Sequence, residues 1–257
     1  MMLDNLVILQ ARMESTRLPG KVLMIICGKP MIELQISRIL RSRLIGGLVV
    51  AIPDTKENDV LNDCLEKLDV KVFRGSHHNV YERYVEASKK YPSKSIIRLT
   101  ADCPLVMPNL LDEMIEYFHS IKTDYLTNGL TYTFPDGLDI EIFSTEALIR
   151  LQKFALNQQE KEFVTLGINK RPKDFSLENF ESKTHLGNER WTVDYPEDFE
   201  FVRKVFEHFK DSNWEFTTQD VLSYISLDPN NKNQKSAKYR NIALKSPSFL
   251  NLDTMTQ

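Results

Sequence analysis

Three cations and two hydroxyls fall within ten residues, Arg12-Met13-Glu14-Ser15-Thr16-Arg17-Leu18-Pro19-Gly20-Lys21, shortly after the apolar run Leu6-Val7-Ile8-Leu9. Arg12, Arg17 and Lys21 have the charge to hold a triphosphate. From Asn5 to Arg43, seven Lys/Arg stand against two Glu, a local +5 in a chain of net charge −3. Neither G-x-G-x-x-G nor G-x-x-x-x-G-K-[ST] occurs there, so phosphate binding must use side chains more than a Gly-rich backbone. Two acidic residues occupy comparable places further on: Asp102, in Thr100-Ala101-Asp102-Cys103-Pro104, and Asp194, after Arg190-Trp191-Thr192-Val193. Carboxylates opposite a basic phosphate loop suit a hard cation, because Mg²⁺ is usually held by one or two carboxylates plus substrate phosphates. Each Asp alone reads equally as a helix N-cap before Pro104 or Pro196; together with the loop they favour the metal.

Such residues need a frame, and the period of the sequence supplies one. Short β-rich runs alternate with amphipathic stretches, the pattern of an α/β fold with a mostly parallel sheet and helices on both faces. Strands are predicted at Leu6–Leu9, Leu48–Ile52, Val70–Phe73 and Ile96–Leu99, with helices from Pro30 to about Arg41, Glu57–Leu68, about Val80–Lys90 and Pro108–Ser120. In an open sheet of this kind ligands bind just outside the carboxyl ends of the strands, where the basic loop and Asp102 fall.

After residue 120 the rhythm changes. Tyr125–Phe134 and Leu138–Phe143 read as strands joined by the turn Pro135-Asp136-Gly137, helical stretches follow at Thr145–Ala155 and Gln159–Ile168, and Arg190–Val193 reads as a strand before a helix at Pro196–Phe209. Residues 1–228 are therefore expected to form one domain, with 129–188 as an inserted lobe and 229–257 as a tail rich in Asn, Lys and Ser.

The composition bounds the function. Thirty-three Lys+Arg against 36 Asp+Glu is too balanced for a protein that mainly holds nucleic acid or an anionic membrane surface. No apolar run approaches the roughly 20 residues a bilayer needs, and Leu3–Ala11 lacks the basic flank of a signal peptide. Three cysteines, Cys27, Cys64 and Cys103, fit neither a disulfide framework nor a zinc knuckle, and no His pair has metal-ligand spacing. A cytoplasmic location is expected.

Read together, these segments resemble the cytidylyltransferases that activate acidic sugars such as sialic acid and 3-deoxy-octulosonate, most closely their spore-coat-polysaccharide branch. The resemblance is carried by Gln10-Ala11-Arg12 with Ser15 to Lys21, Gly28-Lys29-Pro30-Met31, Gly75-Ser76 with Glu82-Arg83-Tyr84, Arg98 to Leu105, Gly137 to Glu141, and Arg190 to Asp194 with Pro196-Glu197-Asp198. It implies a mononucleotide-binding, Rossmann-like sheet of the nucleotide-diphospho-sugar transferase type, with the insertion as a hairpin and helix dimerisation lobe of a homodimer. It implies a nucleotide site of Gln10, Ala11, Arg12, Arg17, Lys21, Ser76, Arg83, Thr100 and Asp102, in which Arg12 and Lys21 hold the triphosphate and Ala11, Ser76 and Arg83 read the pyrimidine. Asp102 and Asp194 become Mg²⁺ ligands, and Arg12, Lys21, Asp102 and Asp194 the catalytic set. Asn128, Asp139, Glu141 and Arg190 fall on the acceptor-binding edge.

The implied reaction is attack of an acceptor oxygen on the α-phosphorus of CTP, with pyrophosphate leaving. Positioning and charge neutralisation suffice for it; a base, where one is needed, is Asp102, Asp194 or a metal-bound hydroxide. The acceptor would be a ulosonic acid, sugar phosphate or phosphonate destined for a surface polysaccharide. One departure stands out: Lys161-Glu162-Phe163-Val164-Thr165 places Phe163 where similar sequences commonly carry His. Two other functions compete. Asp139-Ile140-Glu141 resembles the D-x-D metal motif of a glycosyltransferase using a sugar nucleotide, and a catalytically idle nucleotide-binding subunit would keep the fold without turnover.

Overall fold

The alternation of apolar and amphipathic segments becomes, in the computed structural model, a seven-stranded sheet. Residues 2–233 are described, so the expected tail lies outside the description from residue 234 on. The strands are β1 (Leu3–Gln10), β2 (Ile25–Ile26), β3 (Lys29–Pro30), β4 (Gly47–Pro53), β5 (Lys71–Gly75), β6 (Ser93–Thr100), β7 (Tyr125–Thr127), β8 (Glu141–Ser144) and β9 (Leu177–Asn179). The helices are α1 (Met31–Ile39), α2 (Asp59–Lys67), α3 (Val80–Lys90), α4 (Pro108–Ser120), α5 (Thr145–Arg150), α6 (Gln158–Glu162), α7 (Leu166–Asn169), α8 (Pro196–His208) and α9 (Thr218–Leu227).

The sheet order is β5-β4-β1-β6-β8-β7-β9, while β2 and β3 form a small separate hairpin. Strands β5, β4, β1 and β6 run parallel, and β8 pairs antiparallel with both β6 and β7. The chain leaves β1 toward β4 and β5, then returns to the other side of β1 through β6. That reversal opens a crevice at the carboxyl ends of β1 and β6, the usual ligand position in such sheets.

Side chains alternate along each strand, so β1 sends Val7 and Leu9 to one core and Leu6 and Ile8 to the other. The first core packs α1, α2, α4, α8 and α9, through residues such as Ile32, Leu61, Leu111, Val205 and Val221. The second packs α3, α5 and α7, through Tyr84, Leu148 and Ile168. Helices thus cover both faces, as the pattern predicts.

The expected hairpin is changed in detail. Antiparallel pairing covers only Tyr125–Thr127 with Glu141–Phe143, because Asn128 takes over the backbone beyond it: its side chain donates to Leu138 O at 2.7 Å and accepts from Ile140 N at 2.9 Å. Both strands belong to the central sheet. Arg190–Val193 forms no strand, and Arg190 makes an isolated β-bridge to Asp136. The other amides go to loops, Trp191 N to Asp136 O at 2.6 Å and Val193 N to Asp102 O at 2.8 Å.

Gly137 permits this arrangement. Its φ is +112°, and a Cβ there would lie 2.4 Å from Thr192 N. The expected result of Gly137→Ala is a loss of roughly 3 kcal/mol of stability, from backbone strain plus the clash, read as a lowered denaturation midpoint; an unchanged midpoint would remove the close approach.

Candidate active site

The loop after β1 is braced from below. Met13 N donates to Asn58 Oδ1 at 3.0 Å, and Asn58 Nδ2 donates to both oxygens of Glu14 at 2.9 Å. Gly20, at φ +71°, turns the chain, with its N–H on Met13 O at 3.0 Å. Lys21 is thereby aimed inward and is buried. Its ammonium donates to Val193 O at 2.6 Å, Asp194 Oδ1 at 3.1 Å and Asp102 Oδ2 at 3.3 Å. Arg17 reaches the same Asp194 Oδ1 at 2.6 Å.

Two carboxylates distant in sequence, Asp102 and Asp194, meet here because the Arg190–Asp194 segment lies against the turn after β6. Asp102 O accepts from Val193 N and, at 3.1 Å, from Thr192 Oγ1. Burial alone would raise the Asp102 pKa, but Lys21 and the Thr100 hydroxyl outweigh it and hold the carboxyl down at about 2. Burial likewise works against the Lys21 charge, and the two Asp more than offset it, so its pKa is raised. A carboxylate held so low stays an anion at neutral pH and is a poor proton acceptor.

These residues open into a cleft of about 790 Å³, lined also by Gln10, Ala11, Arg12 and Thr100. Arg12 sits at the rim, about half exposed and 3.5 Å from Glu162 on α6. Glu162, Phe163 and Thr165 form part of the wall, so the segment carrying Phe163 does face the cleft.

Further in, Glu141 accepts from Tyr125 OH at 2.6 Å and is bonded to Arg98 and Thr165. Burial would raise its pKa, yet Arg98, Thr165 and Tyr125 hold it below the ordinary carboxylate value. Asp139 also lines the cleft and accepts from Gly137 N at 3.3 Å. Glu141 is therefore spent on protein partners, which leaves Asp139-Ile140-Glu141 without the pair of free carboxylates a D-x-D site requires.

Four sequence-predicted residues are placed differently from expectation. Asn128 is fully buried and shapes the 138–140 turn, outside the cleft lining. Ser76 and Arg83 line an adjacent depression with Gly75 and Glu82, because the Arg83 guanidinium folds back from α3 onto Ser76 O, at 2.7 and 3.0 Å. Arg190 touches the cleft but has a side-chain exposure of 1%. Four of its five N–H groups are given to Asp198 at 2.9 and 2.8 Å, Asp136 at 2.8 Å and Asp194 at 3.3 Å, so the fork is engaged mainly with the protein's own carboxylates.

Sequence reasoning passed over Arg98, Asp136 and Asp198 as site residues. Arg98 had a signal, a charge inside the otherwise apolar run Ile96-Ile97-Arg98-Leu99. Asp136 and Asp198 were disguised by good local roles, in a turn and in the first turn of α8.

The Lys21 ammonium marks a point that an oxygen of Asp102 and an oxygen of Asp194 both reach. No group of three or more His, Cys, Asp or Glu arranged to hold a metal occurs among the described residues. Two carboxylates converging on one point, with the rest of the shell left to phosphates and water, fit Mg²⁺. No helix among the described residues is long and apolar enough to cross a membrane.

Comparison with known proteins agrees with this geometry. The cytidylyltransferase family model matches residues 6–226. The spore coat polysaccharide biosynthesis protein SpsF of Bacillus subtilis is 31% identical over 243 residues, 91% of this chain and 99% of that protein. The 3-deoxy-manno-octulosonate cytidylyltransferase of Rhizobium johnstonii is 37% identical over 107 residues, 40% of this chain and 41% of that enzyme. Among solved structures, a cytidylyltransferase from Leptospira borgpetersenii superposes with a TM-score of 0.85 at 29% identity, covering 91% of this chain and 98% of that one. The CTP complex of CMP:2-keto-3-deoxy-manno-octonic acid synthetase shares the fold, with a TM-score of 0.61 at 19% identity over 80% of this chain and 99% of that one. With its basic loop and the two carboxylates of Asp102 and Asp194 at the sheet's switch point, the chain belongs to the cytidylyltransferase family and is a nucleotidyltransferase.

Proposed function

We propose that the enzyme transfers CMP from CTP to an acidic sugar or related acceptor, a ulosonic acid, sugar phosphate or phosphonate, with Mg²⁺ and with release of pyrophosphate, in the building of a surface polysaccharide. The observation that carries this reading is the convergence of Lys21, Arg17, Asp102 and Asp194 at the mouth of β1 and β6. Support for the acceptor class comes from the relatives' names, one a spore coat polysaccharide protein and one a 3-deoxy-manno-octulosonate cytidylyltransferase.

In this scheme Lys21, Arg17 and Arg12 bind the triphosphate and take up the charge that gathers on the β- and γ-phosphates as the bond to the α-phosphorus breaks. Asp102 and Asp194 hold Mg²⁺, which when bound neutralises phosphate charge and aligns the leaving group. Gln10, Ala11 and Thr100 form the floor beside the nucleotide. The acceptor oxygen approaches from the side of Tyr125, Thr165 and Asp139, opposite the leaving pyrophosphate. The 129–188 segment is proposed as the dimerisation lobe of a cytoplasmic homodimer, with the exposed Leu130 and Tyr132 at the cleft rim in support.

The test is pyrophosphate release with Mg²⁺ and each of the four nucleoside triphosphates, against ulosonic acids, sugar phosphates and phosphonates. The expected result is release with CTP and one acceptor class. Release with another triphosphate in preference to CTP would overturn the base assignment, and tight CTP binding with no release across the panel would overturn the acceptor classes named.

A further inference from the structure

Asp194 is held from two sides. Its Oδ1 receives Arg17 at 2.6 Å and Lys21 at 3.1 Å, facing the cleft. Its Oδ2 receives Arg190 at 3.3 Å, from the buried side. Arg190 is itself fixed: Asp198 takes its Nε and Nη2 at 2.9 and 2.8 Å, and Asp136, on the Pro135-Asp136-Gly137 turn, takes its Nη1 at 2.8 Å. Asp198 is equally committed, accepting also from Asp194 N at 2.9 Å, Tyr195 N at 3.0 Å and Asn233 Nδ2 at 2.9 Å.

We propose that Arg190 is a positioning residue for the nucleotidyl transfer: it turns the Asp194 carboxylate so that Oδ1 points into the cleft, and through Asp136 it ties that orientation to the turn of the inserted segment. The inference rests on the reading of Asp194 as an ion ligand. Two features support it. The guanidinium is a rigid planar fork that holds three carboxylates in a fixed geometry, bidentate on Asp198, whereas an ammonium is a point charge on a flexible stem that fixes no such plane. The side chain is 1% exposed, so its orientation is set by protein atoms alone. Partners that orient a ligand from behind typically tune metal affinity by 10- to 100-fold.

The test is Arg190→Lys, which keeps the buried charge and loses the fork. The expected result is a cooperative thermal transition, a CTP KM within about threefold of wild type, a kcat lowered by about 30-fold, and Mn²⁺ affinity weakened about tenfold, read by water-proton relaxation with CTP present and acceptor absent. A variant that melts lower yet binds Mn²⁺ as wild type does would overturn the proposal, since Arg190 would then be structural only. Asp194→Asn, measured in parallel, separates the two readings. If it loses Mn²⁺ while Arg190→Lys keeps it, the positioning role alone falls. If it binds Mn²⁺ normally, the ion-ligand reading falls and takes the inference with it. Should Arg190→Lys not fold, the charge-balanced pair Arg190→Gln with Asp136→Asn carries the same expectations.

Discussion

Asp102→Asn is expected to lower turnover about 10³-fold while leaving CTP affinity in the absence of metal nearly unchanged. Asp102 supplies one of the two carboxylate oxygens that meet at Lys21, and the amide keeps the shape while removing the charge. Ground-state binding of the triphosphate rests on the cations, so its loss should be small. Single-turnover rates with Mg²⁺, alongside CTP titrations in a chelator, measure the two effects separately; a fully active variant would remove Asp102 from the ion site. The same carboxylate has a signature in acid. Its folded pKa of about 2 lies below the roughly 3.9 of an unfolded chain. Its contribution to stability is therefore complete above about pH 4 and is lost as the pH falls from there toward 2. Asp102→Asn should flatten that part of the acid-unfolding curve.

Lys21→Met should weaken CTP binding by roughly 10- to 100-fold, the value of one or two charge-assisted hydrogen bonds, and CMP binding by less than about threefold. The methionine stem keeps the packing of the buried Lys21 chain, so the loss reports charge. Equal losses for CTP and CMP, measured by calorimetry, would show that the loop does not hold the β- and γ-phosphates. A second consequence follows from the Lys21 bonds to Asp102 and Asp194. Without the ammonium, burial acts on Asp102 with less opposition and its pKa rises, so the variant's acid transition should move to higher pH.

The main elements of the first 120 residues were legible because they are long and periodic, whereas the two-residue strands β2 and β3 carry no such pattern. The ranges predicted for α3 and α4 coincide with the observed Val80–Lys90 and Pro108–Ser120, helped by the Asn79 cap, which accepts from Glu82 N at 3.0 Å, and by Pro108 at the first turn of α4. Residues 125–143 were less legible because their apolar alternation serves a cleft wall and two cores, and Asn128 replaces the ladder with side-chain bonds. At Arg190–Val193 the β-rich composition predicts a strand, but the neighbours are loops and so no ladder forms beyond the single bridge at Arg190. Helix α9 went unforeseen, although Thr217-x-x-Asp220 is a capping box and Val221 and Tyr224 lie at helical spacing.

Within the site, the ends of strands were readable and the pairings were not. Lys21 and Asp102 are 81 residues apart, and Lys21 and Asp194 are 173 apart; opposite charge and an expected strand-end position brought them into one hypothesis. Nothing local in the sequence shows that Glu141 is claimed by Arg98 or that Arg190 is closed off by Asp136 and Asp198, because each residue could as well face a ligand. Arg38 gives the same lesson in the core: it is buried against Val106 O at 2.9 Å, Trp214 O at 2.6 Å and Phe216 O at 3.2 Å, a cation held by carbonyls that lie far from it in the sequence.

The family match stops at residue 226, but the bonds that complete the site run further, to the Asn233 amide on Arg190 O at 3.0 Å and Asp198 Oδ1 at 2.9 Å. The family model thus ends short of a bond that the site uses. A shortened enzyme ending at residue 226 would keep every phosphate-facing side chain and yet lose the peg behind Asp198, so transplanting or trimming this fold calls for a boundary beyond residue 233.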